Sequence, residues 1–163
     1  MNKILFVYTA NRCRSPMAER LFLRLLKKQE AFDIANWMVS SAGTWAESDI
    51  APDENLITVL DAYDNTIRNH RIQAVTKPML ATQNLVLVMA RHHLEALRFE
   101  NPELGGKIYL LSQITGKEFD IEDPFDKSLQ DYQQTAQLID EILTQGFTKI
   151  LQLMQDGEQS RYT

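Results

Sequence analysis

Apolar positions follow two rhythms along this chain. Ile4-Leu5-Phe6-Val7, Leu85-Val86-Leu87-Val88-Met89 and Ile108 to Leu111 are short continuous apolar runs between polar residues, as expected of strands buried on both faces of a parallel sheet. Trp37 to Ser41 reads as another short strand, ending at Gly43. Between these runs the period lengthens. Ala18, Leu21, Phe22 and Leu25 recur at i, i+3, i+4 and i+7, a helical face that breaks down near Lys27-Lys28. Pro52 opens a helix with apolar face Leu56, Val59, Leu60 and Tyr63, and a last helix from about Ser128 carries Tyr132, Ala136, Ile139 and Leu143 on one side. Strands alternating with helices imply right-handed crossovers and an α/β, doubly wound, four-stranded parallel sheet with helices on both faces. Ligand sites in such sheets lie at the C-terminal ends of the strands, where Tyr8 falls.

One domain is expected over residues 1–154. Gly146 interrupts the last helical pattern, and Ile150 to Met154 is read as its continuation or as a separate docking turn. The polar tail 155–163 is expected to fray. There are no internal repeats or low-complexity runs.

The first strand runs into Tyr8-Thr9-Ala10-Asn11-Arg12-Cys13-Arg14-Ser15, followed by Pro16-Met17-Ala18-Glu19. Ser15 before Pro16 reads as a helix start, a capping oxygen and then a residue with no N–H to satisfy. The loop therefore sits at a helix N-terminus. Free N–H groups and the positive end of the helix dipole favour an anion there, and Arg14 adds a planar fork of donors.

The stretch Ile4 to Glu19 resembles the signature of the low-molecular-weight protein tyrosine phosphatases: a strand, Cys-x5-Arg-Ser/Thr, and a helix. Further segments resemble the family in the same order: Ser40-Ser41-Ala42-Gly43-Thr44 its second strand and turn, Asn69-His70-Arg71 its His segment, Leu85 to Met89 its third strand, and Glu122-Asp123-Pro124-Phe125 the loop carrying its general acid. The resemblance runs to about Leu143. In that family the loop cysteine is a thiolate that attacks phosphorus, while the Asp protonates the leaving phenol and then assists water. It implies Arg14 as phosphate clamp and Asp123 as general acid, with residues Thr9, Ala10, Asn11, Arg12, Cys13, Arg14 and Ser15 around the phosphate. It also implies that Asn11, Ser15, Ser41 and His70 shape the loop, that Trp45 and Phe125 line the rim, and that the segment from Glu118 to Asp126 is a mobile lid.

The departures from the pattern carry more information than the matches. Tyr8 stands in the nucleophile's position, and an unperturbed phenol ionises near pH 10 against about 8.5 for a thiol. Its larger ring is expected to occupy the phosphate position. Ala10 replaces a usual Gly, which costs free energy if that backbone needs positive φ. Arg12 replaces an apolar residue or Thr, and reads either as favouring anionic partners or as a solvated surface arginine. Cys13, the one cysteine, matches the family's second loop cysteine and is expected to be buried and inert. The sequence thus points to a catalytically impaired homologue that binds a phosphorylated protein or a small anion. The alternative is a working phosphomonoesterase with an unusual nucleophile. The family's arsenate reductase branch is disfavoured by the want of further cysteines, and its phosphoarginine branch by the cation at Arg12.

Composition narrows the rest. The 163 residues, 44% hydrophobic, suffice for one core, and a net charge of −5 gives no basic footprint for nucleic acid. A single cysteine suits a reducing compartment, and the opening apolar run ends too soon for a signal peptide, so a cytoplasmic protein is expected, with no membrane partner. No cofactor or metal is expected: His92 and His93 are adjacent, so on a helix they diverge by about 100° and make a poor pair. The oligomeric state is left open.

Overall fold

The computed structural model describes residues 1–47 and 51–159, with side chains through residue 156. Four strands, β1 (Asn2–Tyr8), β2 (Trp37–Gly43), β3 (Leu85–Val88) and β4 (Ile108–Leu110), form one sheet in the order β2-β1-β3-β4, and every pairing is parallel. Helices α1 (Arg14–Lys28), α2 (Glu54–Asp61), α3 (Lys77–Thr82), α4 (Arg91–Glu100) and α5 (Leu129–Gln159) connect and cover them. The alternation of strand side chains explains why both faces need covering. Ile4, Phe6, Leu85 and Leu87 pack with α1, α2 and α5, whereas Leu5, Val7, Val86 and Val88 pack against Leu80 of α3 and Leu94 and Leu97 of α4. Ile4 to Val7 and Leu85 to Val88 are fully buried, as the continuous apolar runs require. Among the described residues no helix is long and apolar enough to cross a membrane.

Several expectations change in detail. The helix after Pro52 begins at Glu54, because Asp53 caps it by accepting from the Asn55 N–H at 2.9 Å. Helices α3 and α4 carry too short an apolar pattern to stand out in the sequence. α5 runs unbroken through Gly146 to Gln159, so residues 150–154 continue it, and the stretch read as a polar tail is helical as far as the described residues go. Gly146 is where α5 passes the Ile114 side chain: a Cβ there would meet Ile114 Cβ at 2.9 Å. The glycine that seemed to break the helix admits a neighbour to it.

Chain order places the site. From β1 the chain crosses to β2 on one side, and the later strand β3 joins β1 on the other, so the switch point lies between β1 and β3. The loop after β1 and the start of α4 after β3 flank that crevice.

Candidate functional site

The loop between β1 and α1 is held by close backbone packing and a buried polar network. Gly43 pairs with Tyr8 at the end of β2; a Cβ there would overlap the Thr9 carbonyl oxygen and approach the Asn11 nitrogen to 2.9 Å. Only glycine permits this approach. Thr44 and Trp45 then donate their N–H groups to the carbonyls of Tyr8 and Thr9, each at 2.8 Å. Asn11 takes the left-handed conformation (φ 54°), one that Asn tolerates better than most residues. Positive φ thus falls on Asn11 and not on Ala10, so the strain considered for Ala10 does not arise.

Asn11 is buried, and its Nδ2 donates to Ser15 Oγ (3.1 Å) and Ser41 Oγ (2.9 Å), while its Oδ1 accepts from the Gln73 N–H (3.1 Å). Ser41 in turn donates to the buried carboxylate of Glu19 at 2.6 Å. His70 Nε2 lies 3.2 Å from the Asn11 carbonyl oxygen, and burial lowers the His70 pKa against the opposing pull of Glu19. Ser15 does not cap the helix as the sequence suggested. Cys13 is the N-cap, without a side-chain cap bond, and α1 begins at Arg14. The Ser15 hydroxyl is engaged by Asn11, and the N–H groups of Arg14 and Ser15 have no intrahelical acceptor.

Arg14 is 3% exposed, and its terminal nitrogens face partners within the protein while its buried Nε has none. One terminal nitrogen donates to the Ile121 carbonyl and the other lies 2.7 Å from Asp123 Oδ2. Burial lowers its pKa, opposed chiefly by the hydrogen bond to Asp123. Its Cζ sits 3.1 Å from the centre of the Tyr8 ring. On the crevice side that ring meets His93, centroid to centroid 4.8 Å and tilted by 57°. His93 is buried at the start of α4, with Nε2 3.0 Å from Thr9 Oγ1. Burial, then the charges of His92 and Arg14, push its pKa down to about 4, so the ring is neutral near pH 7.

Asp123 also accepts from the Phe125 N–H at 3.1 Å. The segment read as a mobile lid is tied to the residues that follow β3 and β4: Ile121 N–H donates to the Met89 carbonyl (2.9 Å), Asp120 accepts from the Arg91 N–H (2.8 Å), and Phe119 exchanges bonds with Ser112 Oγ. Its crest, around Glu122 to Asp126, is held instead through Asp123 and Arg14. Tyr8, Thr9, Ala10, Arg12, Cys13, Asp123 and Phe125 line a pocket of about 330 Å³. Arg12 Cζ lies 5.0 Å from the Phe125 ring centre. Cys13 is buried and unpaired, and burial, then the charges of Asp123 and Asp53, push its thiol pKa far up, so it is no thiolate.

A profile of the low molecular weight phosphotyrosine protein phosphatases matches residues 3–156. The chain belongs to this family. It is 31% identical to a protein-arginine-phosphatase of Bacillus subtilis over 87% of this chain and 92% of the relative. It is 32% identical to the low molecular weight protein-tyrosine-phosphatase Wzb of Salmonella typhimurium over 85% of this chain and 87% of the relative. The solved structure of a cysteine-to-serine mutant of the YwlE arginine phosphatase, with a phosphorylated active site serine, superposes with a TM-score of 0.81 at 30% identity, covering 92% of this chain and 95% of that one.

Of the residues that the phosphatase resemblance singled out, Tyr8 through Ser15 form the loop, Asn11, Ser15, Ser41 and His70 share one network, and Arg14 meets Asp123. Phe125 lines the pocket. Trp45 does not: its backbone braces Thr9, but its side chain is 76% exposed and lies outside the pocket wall. The side chains of His92 and His93 approach to 3.9 Å between ring centres instead of diverging, yet among the described residues no group of three or more metal-ligating side chains gathers. Sequence reasoning missed Glu19 and His93. Glu19 was legible as the residue four after Ser15, on the same helical face. His93 was legible only through the adjacency of β3 to β1.

Proposed function

We propose that the chain is a catalytically impaired member of its family, a pseudophosphatase, in which Tyr8 stands in place of the nucleophilic cysteine and its ring fills the phosphate position. The observation that carries this reading is the 3.1 Å separation between Arg14 Cζ and the Tyr8 ring centre. A phosphoryl group held by Arg14 would need the space the ring takes. The loop also lacks a thiolate, since Tyr8 has none and the Cys13 thiol is held protonated by burial. In this reading Arg14 and Asp123 keep the geometry of clamp and general acid, the loop from Thr9 to Ser15 keeps the shape of a cradle, and Asn11, Ser15, Ser41 and His70 support it. What remains is recognition of a phosphorylated or otherwise anionic partner at the pocket mouth, outside the position the ring fills. A lone buried thiol suits the cytoplasm.

A second reading keeps the chain among working phosphomonoesterases, with the Tyr8 oxygen as nucleophile. It is favoured by the YwlE relative whose active site serine is phosphorylated, because that oxygen accepted a phosphoryl group. Between the two substrate classes of its relatives, the cation of Arg12 in the pocket wall favours phosphotyrosine over phosphoarginine.

Hydrolysis of 4-nitrophenyl phosphate tests both readings. The protein is expected to be silent and Tyr8→Cys active, with that activity reduced in Tyr8→Cys/Asp123→Asn. Activity in the unaltered protein that Asp123→Asn abolishes would establish the second reading. A folded but inactive Tyr8→Cys would remove the claim that the rest of the site is competent.

A further inference from the structure

We propose that the pocket above Tyr8 binds aromatic carboxylates, with the carboxylate on Arg12 and the ring against Tyr8 and Phe125. The inference rests on the reading that Tyr8 fills the cradle, and moves the anion site one step outward.

Arg14 has little left to offer a ligand. Its terminal nitrogens face the Ile121 carbonyl and Asp123, one face is covered by Tyr8, and its unpaired Nε is buried away from the pocket wall, which Arg14 does not line. Arg12 differs in lining the pocket and in having no such partner. Among the described residues no carboxylate pairs with it, and its Nε is shut away from solvent without an acceptor. The guanidinium is nevertheless positioned, because its Cζ lies 5.0 Å from the Phe125 ring centre. Such stacking limits the freedom of a long side chain and leaves the fork of edge donors for an anion. With Asp123 matched by Arg14, the charge left at the pocket wall is that of Arg12.

Size and donor count then choose the ligand. A cavity of about 150 Å³ accommodates benzene, so the 330 Å³ pocket has room for a ring and an acid group. A phosphate dianion draws on several N–H donors of a cradle, which the Tyr8 ring obstructs. A single guanidinium fork matches the two oxygens of a carboxylate. Aromatic rings on two walls favour a flat apolar body.

Phenylacetate, phenylphosphonate and inorganic phosphate, titrated into the isotope-labelled protein and followed by amide and side-chain NMR, test this. Phenylacetate is expected to shift signals of Tyr8, Arg12 and Phe125, to bind at least as tightly as phenylphosphonate, and to lose at least tenfold in affinity in Arg12→Gln. Arg12→Lys, which keeps the charge without the fork, is expected to fall between. No shift at these three residues, or equal affinity in Arg12→Gln with the rest of the spectrum unchanged, overturns the proposal and leaves the reading of Tyr8 standing. Inorganic phosphate binding at the loop amides of the unaltered protein, independent of Arg12, overturns that reading itself.

Discussion

The imidazole of His93 stands 4.8 Å from the ring of Tyr8, across the crevice between two strands that lie side by side in the sheet but far apart in the chain. With Arg14 also against the Tyr8 ring, the side chain is held by contacts from the loop helix and from α4. Each contact of this kind contributes about 0.5–2 kcal/mol. Tyr8 is therefore held where it is, as the proposed role of a plug requires.

A double-mutant cycle measures that clamp. Tyr8→Ala and His93→Ala are expected to couple by about 0.5–1.5 kcal/mol in denaturant unfolding. Additivity within about 0.3 kcal/mol would mean that His93 does not hold the ring.

Stability is expected to fall on acidification in a defined window. The His93 pKa is lowered from 6.5 to about 4 in the folded state, so between those values the unfolded chain binds the extra proton. Its contribution is complete above about pH 6.5 and is lost as pH falls through about 4, amounting to about 1–3 kcal/mol. His70, also lowered by burial, acts in the same direction. Replacing His93 by Gln is expected to flatten the curve between pH 4 and 6.5, measured as unfolding free energy against pH; an unchanged slope would contradict the assignment.

Glu19 anchors the loop through Ser41. Removing its carboxylate leaves the buried Ser41 hydroxyl without an acceptor, at a cost of about 1–3 kcal/mol. Glu19→Ala is thus expected to lower the melting temperature by about 2–12 °C. If Glu19→Ala melts with the unaltered protein, the network is not holding the loop.

Most of the architecture was legible in the sequence because its strands are continuous apolar runs and its longest helices carry clear periodicity. Arg14 and Asp123 were legible as members of one site only through the resemblance to a known family, since no local pattern links residues so far apart, and their direct pairing was not legible at all. Helices α3 and α4 were not, and with them went His93, whose importance comes from the neighbouring of β1 and β3. Ser15 was misread as a cap because Ser-Pro carries the same local signal whether the hydroxyl faces the helix N–H groups or a buried Asn. Gly146 was misread as a break because its reason lies in Ile114, on another segment.

The most direct test of the account is a crystal structure of the unaltered protein grown in high sulfate, beside Tyr8→Cys under the same conditions. The account predicts the Tyr8 ring against Arg14 with the loop free of sulfate, and sulfate on the loop amides and Arg14 in Tyr8→Cys. Sulfate in the cradle of the unaltered protein, with Tyr8 turned away from Arg14, would contradict it.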